Sequence, residues 1–280
     1  MKRIHFLLFC TPGLLLSLAG GAQASTQIEK NLKLAPGGTL YVDTSGGDVI
    51  VKGTSESGAR VVVTTNLSDL ESIFDLRFEE QPHAVQIVAH RRSDAPWPHH
   101  FTLKFEISVP RQTSLELKTG GGDVRATDLE GTFHLKTSGG DVEASDVKGD
   151  LDGETSGGDM RIRQLSGNLV LHTSGGDIQA EGISGRVDVH TSGGDVEVSL
   201  MRGNAQGGEV ETSGGEIDVA LDPVVNLDLE ATAGSGDVDS DLHTTTTSTL
   251  SPSNLRATLG KGGQLLRLHT TGGDIHLQPL

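Results

Sequence analysis

Apolar residues recur at fixed offsets through the second half of the chain. After Asp123 they fall at Val124, Ala126, Leu129, Phe133 and Leu135. After Asp159 they fall at Met160, Ile162, Leu165, Leu169 and Leu171, and after Asp177 at Ile178, Ala180, Ile183, Val187 and Val189. Steps of two within each group mark strands with one face turned inward, and helical spacing is absent. Between the groups lie two glycine corners. One is Thr-Ser-Gly-Gly-Asp, as at Thr137–Asp141, Thr155–Asp159, Thr173–Asp177 and Thr191–Asp195; the other carries Gly131, Gly149, Gly167 and Gly185. A unit is therefore strand, glycine corner, strand, Gly-Gly-Asp corner.

The step between units is 18 each time, from Asp123 through Asp141, Asp159 and Asp177 to Asp195. Beyond Asp195 the spacing stretches to 21 at Glu216, 21 at Asp237 and 37 at Asp274. Repetition at this period predicts an all-β parallel solenoid of two-strand rungs, each burying its apolar face against its neighbours. A left-handed hexapeptide coil has the same period, as three sixes, but the interior positions here do not fall at intervals of six. Strand parity turns Thr137, Thr155, Thr173 and Thr191 inward as a ladder bonded between rungs, and turns the following serines outward. Gly167 is expected at a corner that needs positive φ.

Residues 25–110 are patterned differently and are predicted to form an antiparallel β cap with the first strands. Strands are expected over 28–34, 39–51, 60–65, 74–80, 84–90 and 101–109, with Phe74, Phe78, Phe101, Phe105 and Trp97 close together. Residues 111–280 form the solenoid, interrupted by an insertion at about 242–266 that caps or bulges the far end.

Only 3% of residues are aromatic while 38 are glycine, in keeping with a thin aliphatic core and frequent tight turns. Residues 1–24 read as a secretory leader: basic Lys2 and Arg3, an apolar run from Ile4 to Leu18, and Ala22-Gln23-Ala24 as the cleavage site. Removing them takes away Cys10, the only cysteine, and shifts the formal net charge from −16 to −18. Such a surface disfavours nucleic acid and favours cations or basic partners. No second apolar span follows, so no membrane insertion is expected after cleavage.

The sharpest chemical candidate is the column Asp123, Asp141, Asp159, Asp177 and Asp195. In register these carboxylates repel, and each is expected to accept N–H groups of its own Gly-Gly corner. The competing reading is a row of Ca²⁺ ions, but the calcium roll repeat needs its glycine-aspartate motif at both corners and this chain has it at one. Asp237-Val238-Asp239-Ser240-Asp241 mimics the start of an EF-hand loop. Leu242 and Ser248 stand where the loop's glycine and glutamate belong, so the run reads as a solvated acidic strand. His172 and His190 share an outward position on adjacent rungs, joined more remotely by His269. Lys118, Lys136 and Glu154 fill that position elsewhere, which reads as a solvated strip rather than a zinc site. His99 and His100 beside Trp97 read as a surface loop. No catalytic residues emerge, because near-identical corners offer no single distinct constellation.

The strand carrying Pro36-Gly37-Gly38-Thr39-Leu40, the segment Thr44-Ser45-Gly46-Gly47-Asp48-Val49, Ile107-Ser108-Val109-Pro110 leading into Leu115–Asp123, the tandem Ser-Gly-Gly-Asp units and the closing Thr270–Ile275 together resemble the putative-adhesin domain family. The resemblance spans nearly all of the chain after the leader. It implies a bacterial exported β-solenoid of the cell envelope, periplasmic or on the cell surface. Non-enzymatic binding or scaffolding is implied, toward a protein or glycan and without a cofactor. A Ca²⁺-responsive module using the aspartate column is the alternative, and a polysaccharide-acting enzyme the third.

Overall fold

The computed structural model describes residues 26–95 and 100–280, and among these there are 25 strands and no helix. The expected leader, Trp97 and His99 lie outside the described residues. The strands form a 12-stranded and a 13-stranded sheet facing each other. Each rung places one strand in each sheet, and corresponding residues pair parallel and in register. Val124 meets Val142, which meets Met160; Ile178 and Val196 continue the row. Across the core, Phe133 meets Leu115 and Leu151, then Leu169 and Val187 follow. These residues are buried, so the alternation of apolar and polar positions has become an inside and an outside.

The ends depart from a simple stack. Strands Gly38–Thr44 and Asp48–Thr54 form a rung that pairs parallel with Thr113–Thr119 and Val124–Thr127 on one side. On the other side it pairs parallel with Ala84–Arg91 and Leu103–Pro110, so the first rung in sequence lies between the second and the third. Outside these, Thr26–Leu32, Ala59–Thr65 and Phe74–Gln81 pair antiparallel and supply the cap, with Phe74 and Phe105 buried and Phe101 packed on Phe74 at 5.7 Å between ring centroids. The far end repeats the device. The last rung, Gln264–Thr270 and Ile275–Pro279, inserts between the rung 208–221 and the strands Leu227–Ala233 and Val238–Ser240. The expected insertion folds as an antiparallel hairpin, Thr246–Ser251 with Asn254–Leu259, added to the edge of one sheet.

The corners explain the glycines. A Cβ on Gly140, Gly158, Gly176 or Gly194 would lie within 1.9–2.2 Å of the previous rung's glycine carbonyl oxygen, whereas one on Gly139 or Gly157 meets nothing within 4 Å. The second glycine of each pair is needed for backbone-to-backbone stacking. The same reason holds at Gly167, whose Cβ would lie 2.1 Å from Gly149 O; its φ is not in the left-handed region, so positive φ is not what requires that glycine. Of the second-corner glycines Gly149 alone has positive φ, at 120°; left-handed backbone otherwise occurs three positions before them, as a column of Asp128, Asp146, Gln164 and Gly182 at φ 60°, 55°, 56° and 68°. The column ends where Leu200 pairs directly with Ile183 across a bulge. In the next corner, lengthened to span 201–207, the buried Asn204 amide donates to Ile183 O and Gly185 O.

Candidate functional site

Two bonded ladders run along the Gly-Gly-Asp edge. Inside, each threonine hydroxyl donates to the carbonyl of the previous rung's second glycine: Thr137 to Gly122, Thr155 to Gly140, Thr173 to Gly158 and Thr191 to Gly176, at 2.8–3.3 Å. The same oxygen accepts the N–H of the second glycine of its own corner, for example Gly158 N to Thr155 Oγ1 at 3.3 Å. Both hydroxyl roles are thus filled, and the threonine is held without solvent.

Outside that row stand the aspartates. Asp123, Asp141, Asp159 and Asp177 each offer Oδ1 to the backbone N–H of the aspartate one rung on, at 2.9–3.1 Å, and Asp195 does so to Glu216 at 2.9 Å. Asp48 begins the series on Asp123 N. Donors from the carboxylate's own corner were expected. The next rung supplies them instead, because in-register stacking aims each carboxylate at the amide above it rather than back into its own turn. The ladder therefore cross-links rungs while offsetting the repulsion between neighbouring carboxylates.

Charge compensation differs along the column. Arg125 bonds Glu143 at 2.8 Å and Asp123 at 3.2 Å, and its pKa is raised by the Glu143 bond first, with Asp123 and Asp48 adding their charge. Arg161 reaches Asp159 at 2.9 Å and Asp141 at 3.7 Å. One and two rungs further, the equivalent outward positions hold Gln179 and Glu197. There Asp159, Asp177, Asp195, Glu197 and Asp218 line a shallow trough of about 330 Å³. Among the described residues no three His, Cys, Asp or Glu groups converge where a metal ion could sit. The acidic run at 237–241 includes the short strand Val238–Ser240, with Asp239 and Asp241 exposed, in line with the solvated reading.

The opposite sheet carries the histidines. His172 and His190 stack with centroids 5.1 Å apart and planes at 6°. His190 Nδ1 lies 3.3 Å from Glu211 Oε2. His269, remote from His190 in sequence, is brought beside Glu211 by the inserted last rung. Strand parity gave the His172–His190 pairing, and His269, five residues before Asp274 as His190 is before Asp195, joins the same column; the spacing did not show that its neighbour there is Glu211.

The family description Toastrack DUF4097 matches residues 39–278. The chain belongs to the Toastrack DUF4097 family. The match runs from the first rung to the last and takes in both rearranged ends of this Toastrack chain. A structure from Bacteroides fragilis, described as a putative adhesin, aligns with a TM-score of 0.55 and 11% identity over 91% of this chain and 98% of the other. This likeness shows the fold. A putative lipid binding protein from Parabacteroides distasonis aligns at a TM-score of 0.39 and 12% identity, covering 91% and 96% of the two chains. A putative adhesin from the same species aligns at 0.33 and 13%, covering 91% and 97%. Comparison with curated proteins found no match. Among the described residues of this Toastrack chain, no helix is long and apolar enough to cross a membrane.

Proposed function

We propose that the protein is an exported, non-enzymatic adhesin-like binding or scaffolding protein of the bacterial cell envelope, working in the periplasm or at the cell surface on a protein or glycan. The observation that supports this best is the pair of long outer faces, one on each sheet. Their side chains stand in columns, one per rung, so a partner meets the same geometry repeated along the solenoid axis. A partner that is itself repetitive can engage several rungs at once, so its hold rests on multivalency rather than on one group. The leader-like segment 1–24 agrees with an envelope role.

Co-sedimentation of the mature chain with purified peptidoglycan sacculi and outer-membrane fragments tests the reading. Binding is expected to survive Glu181→Lys, Glu197→Lys, Asp218→Lys or Asp239→Lys singly and to fail when all four are combined. No binding by the wild type, or complete loss from one of these changes, would refute it.

A Ca²⁺-responsive module is the second reading. What favours it is the end of the aspartate column, where Gln179 and Glu197 replace the arginines that serve Asp123, Asp141 and Asp159. Thermal unfolding in EDTA and in millimolar Ca²⁺ separates the two readings. A rise in midpoint specific to Ca²⁺ over Mg²⁺ supports the module, and an unchanged midpoint leaves the aspartates as rung cross-links.

A further inference from the structure

Consecutive strands of the 13-stranded sheet bring Glu154, His172, His190, Glu211 and His269 into one outward row, each paired in register with the next. Elsewhere in this position the column holds Asp43, Lys118 and Lys136. The histidines are therefore gathered into one stretch of the face rather than scattered along it.

We propose that His172 and His190 chelate a divalent transition metal of the Cu²⁺ and Zn²⁺ class, with Glu211 as a positioning residue. Three features carry this. The rings lie on adjacent parallel strands whose spacing is fixed by the ladder, so the pair is held together before any ion arrives. Their centroids are 5.1 Å apart and the planes nearly parallel. Two imidazole nitrogens each about 2.0–2.1 Å from one metal are at most roughly 4.2 Å apart, and centroids 5.1 Å apart place the two rings close to that separation. Finally, His190 turns Nδ1 toward the Glu211 carboxylate at 3.3 Å, leaving Nε2 as the ligand atom. A carboxylate behind a histidine fixes its ring and raises its basicity in metal sites.

Two nitrogens and a half-exposed setting leave the remaining positions to water. That suits tetragonal Cu²⁺ best and Zn²⁺ next, and gives Ca²⁺ and Mg²⁺ nothing to prefer. An ion held here bridges two rungs on the face opposite the aspartate ladder. The inference is independent of what the outer faces bind.

Calorimetric titration of the chelator-washed mature chain with CuCl₂, and separately with ZnCl₂ and CaCl₂, tests it. One Cu²⁺ per chain is expected, with Zn²⁺ weaker and Ca²⁺ silent. His172→Ala and His190→Ala should each lower Cu²⁺ affinity at least tenfold, Glu211→Gln by a smaller factor, and His83→Ala, on the distant cap, not at all. Electron paramagnetic resonance of the Cu²⁺ form should report two nitrogen ligands in the wild type and one in either histidine variant. Circular dichroism confirms that the variants are folded. Absence of Cu²⁺ binding, or affinity unchanged in the folded His172→Ala/His190→Ala double variant, would overturn the proposal.

Discussion

Gly157 and Gly158 are adjacent, chemically identical and both outside the left-handed region, yet the stack treats them oppositely. A Cβ on Gly158 would lie 1.9 Å from Gly140 O and 2.4 Å from its carbonyl carbon, while one on Gly157 meets nothing within 4 Å. Contact with a backbone oxygen cannot be relieved by a rotamer change, so Gly158→Ala must push two rungs apart by about 1 Å where their spacing is about 4.8 Å. Overpacking of this kind costs roughly 1–3 kcal/mol. The displaced corner also holds Gly158 N to Thr155 Oγ1 at 3.3 Å, Thr173 Oγ1 to Gly158 O at 3.3 Å and Asp159 N to Asp141 Oδ1 at 2.9 Å. Weakening two of these adds about 1–2 kcal/mol. Gly158→Ala is therefore expected to destabilise by about 2–5 kcal/mol. Gly157→Ala should be neutral or stabilising by up to about 1 kcal/mol, through the reduced freedom of the unfolded chain. Urea unfolding followed by far-ultraviolet circular dichroism reads both, provided the slope with denaturant is unchanged between variants. Equal losses from the two substitutions, or a wild-type midpoint for Gly158→Ala, would refute the stacking argument.

Leu171 is fully buried, and Leu171→Asp should cost about 4 kcal/mol or more by burying an unpaired carboxylate; a near-wild-type melt would reverse the assignment of its face. Gln164, exposed at φ 56°, carries a left-handed cost of about 1–2 kcal/mol, partly offset in Gln164→Gly by glycine's unfolded freedom. A gain of roughly 0.5–1 kcal/mol is expected, and a lower unfolding midpoint would contradict it. Arg256 hydrogen-bonds Glu230 at 2.6 Å and, with Arg267 nearby, holds its pKa below the ordinary 4.5. A lowered carboxylate contributes stability above its unfolded value and loses it as pH falls through the folded one. The gap between wild type and Glu230→Gln, at most about 1 kcal/mol, should be complete above pH 4.5 and close on acidification. A gap that opens on acidification would show the sign to be wrong.

The middle of the molecule was legible because its period is exposed in the residues: Val124, Val142, Met160 and Ile178 can face inward in register only if each repeat unit makes one full turn of the coil. The inward threonines and outward serines followed from parity alone. Which amide each aspartate would meet did not follow, since a turn residue and a stacked residue present the same sequence. Asp128 and Asp146 are residue types that tolerate left-handed backbone, whereas Gln164 gives no such sign and only its place in the column marks it. The exchanged order of rungs at both ends was also illegible. Inside–outside patterning fixes a strand's face but not which of several equivalent edges it joins. The aromatic cluster marked the cap, yet nothing in it distinguished a parallel rung at 84–110 from antiparallel cover.

That exchanged order governs how the protein is completed during synthesis and how it can change in length. Residues 227–240 are made before residues 264–279 but lie beyond them, so strands 227–240 have no seat in the stack until 264–279 have been made. Residues 264–279 sit as a wedge between the rung 208–221 and the strands 227–240, and losing them would uncover the apolar rows of both. Between Thr113 and Leu221 neighbours in sequence are also neighbours in space, so a whole unit added or removed there would keep the order of the rest. The two ends form a frame, and the span between them is where a whole unit could be added without reordering any strand.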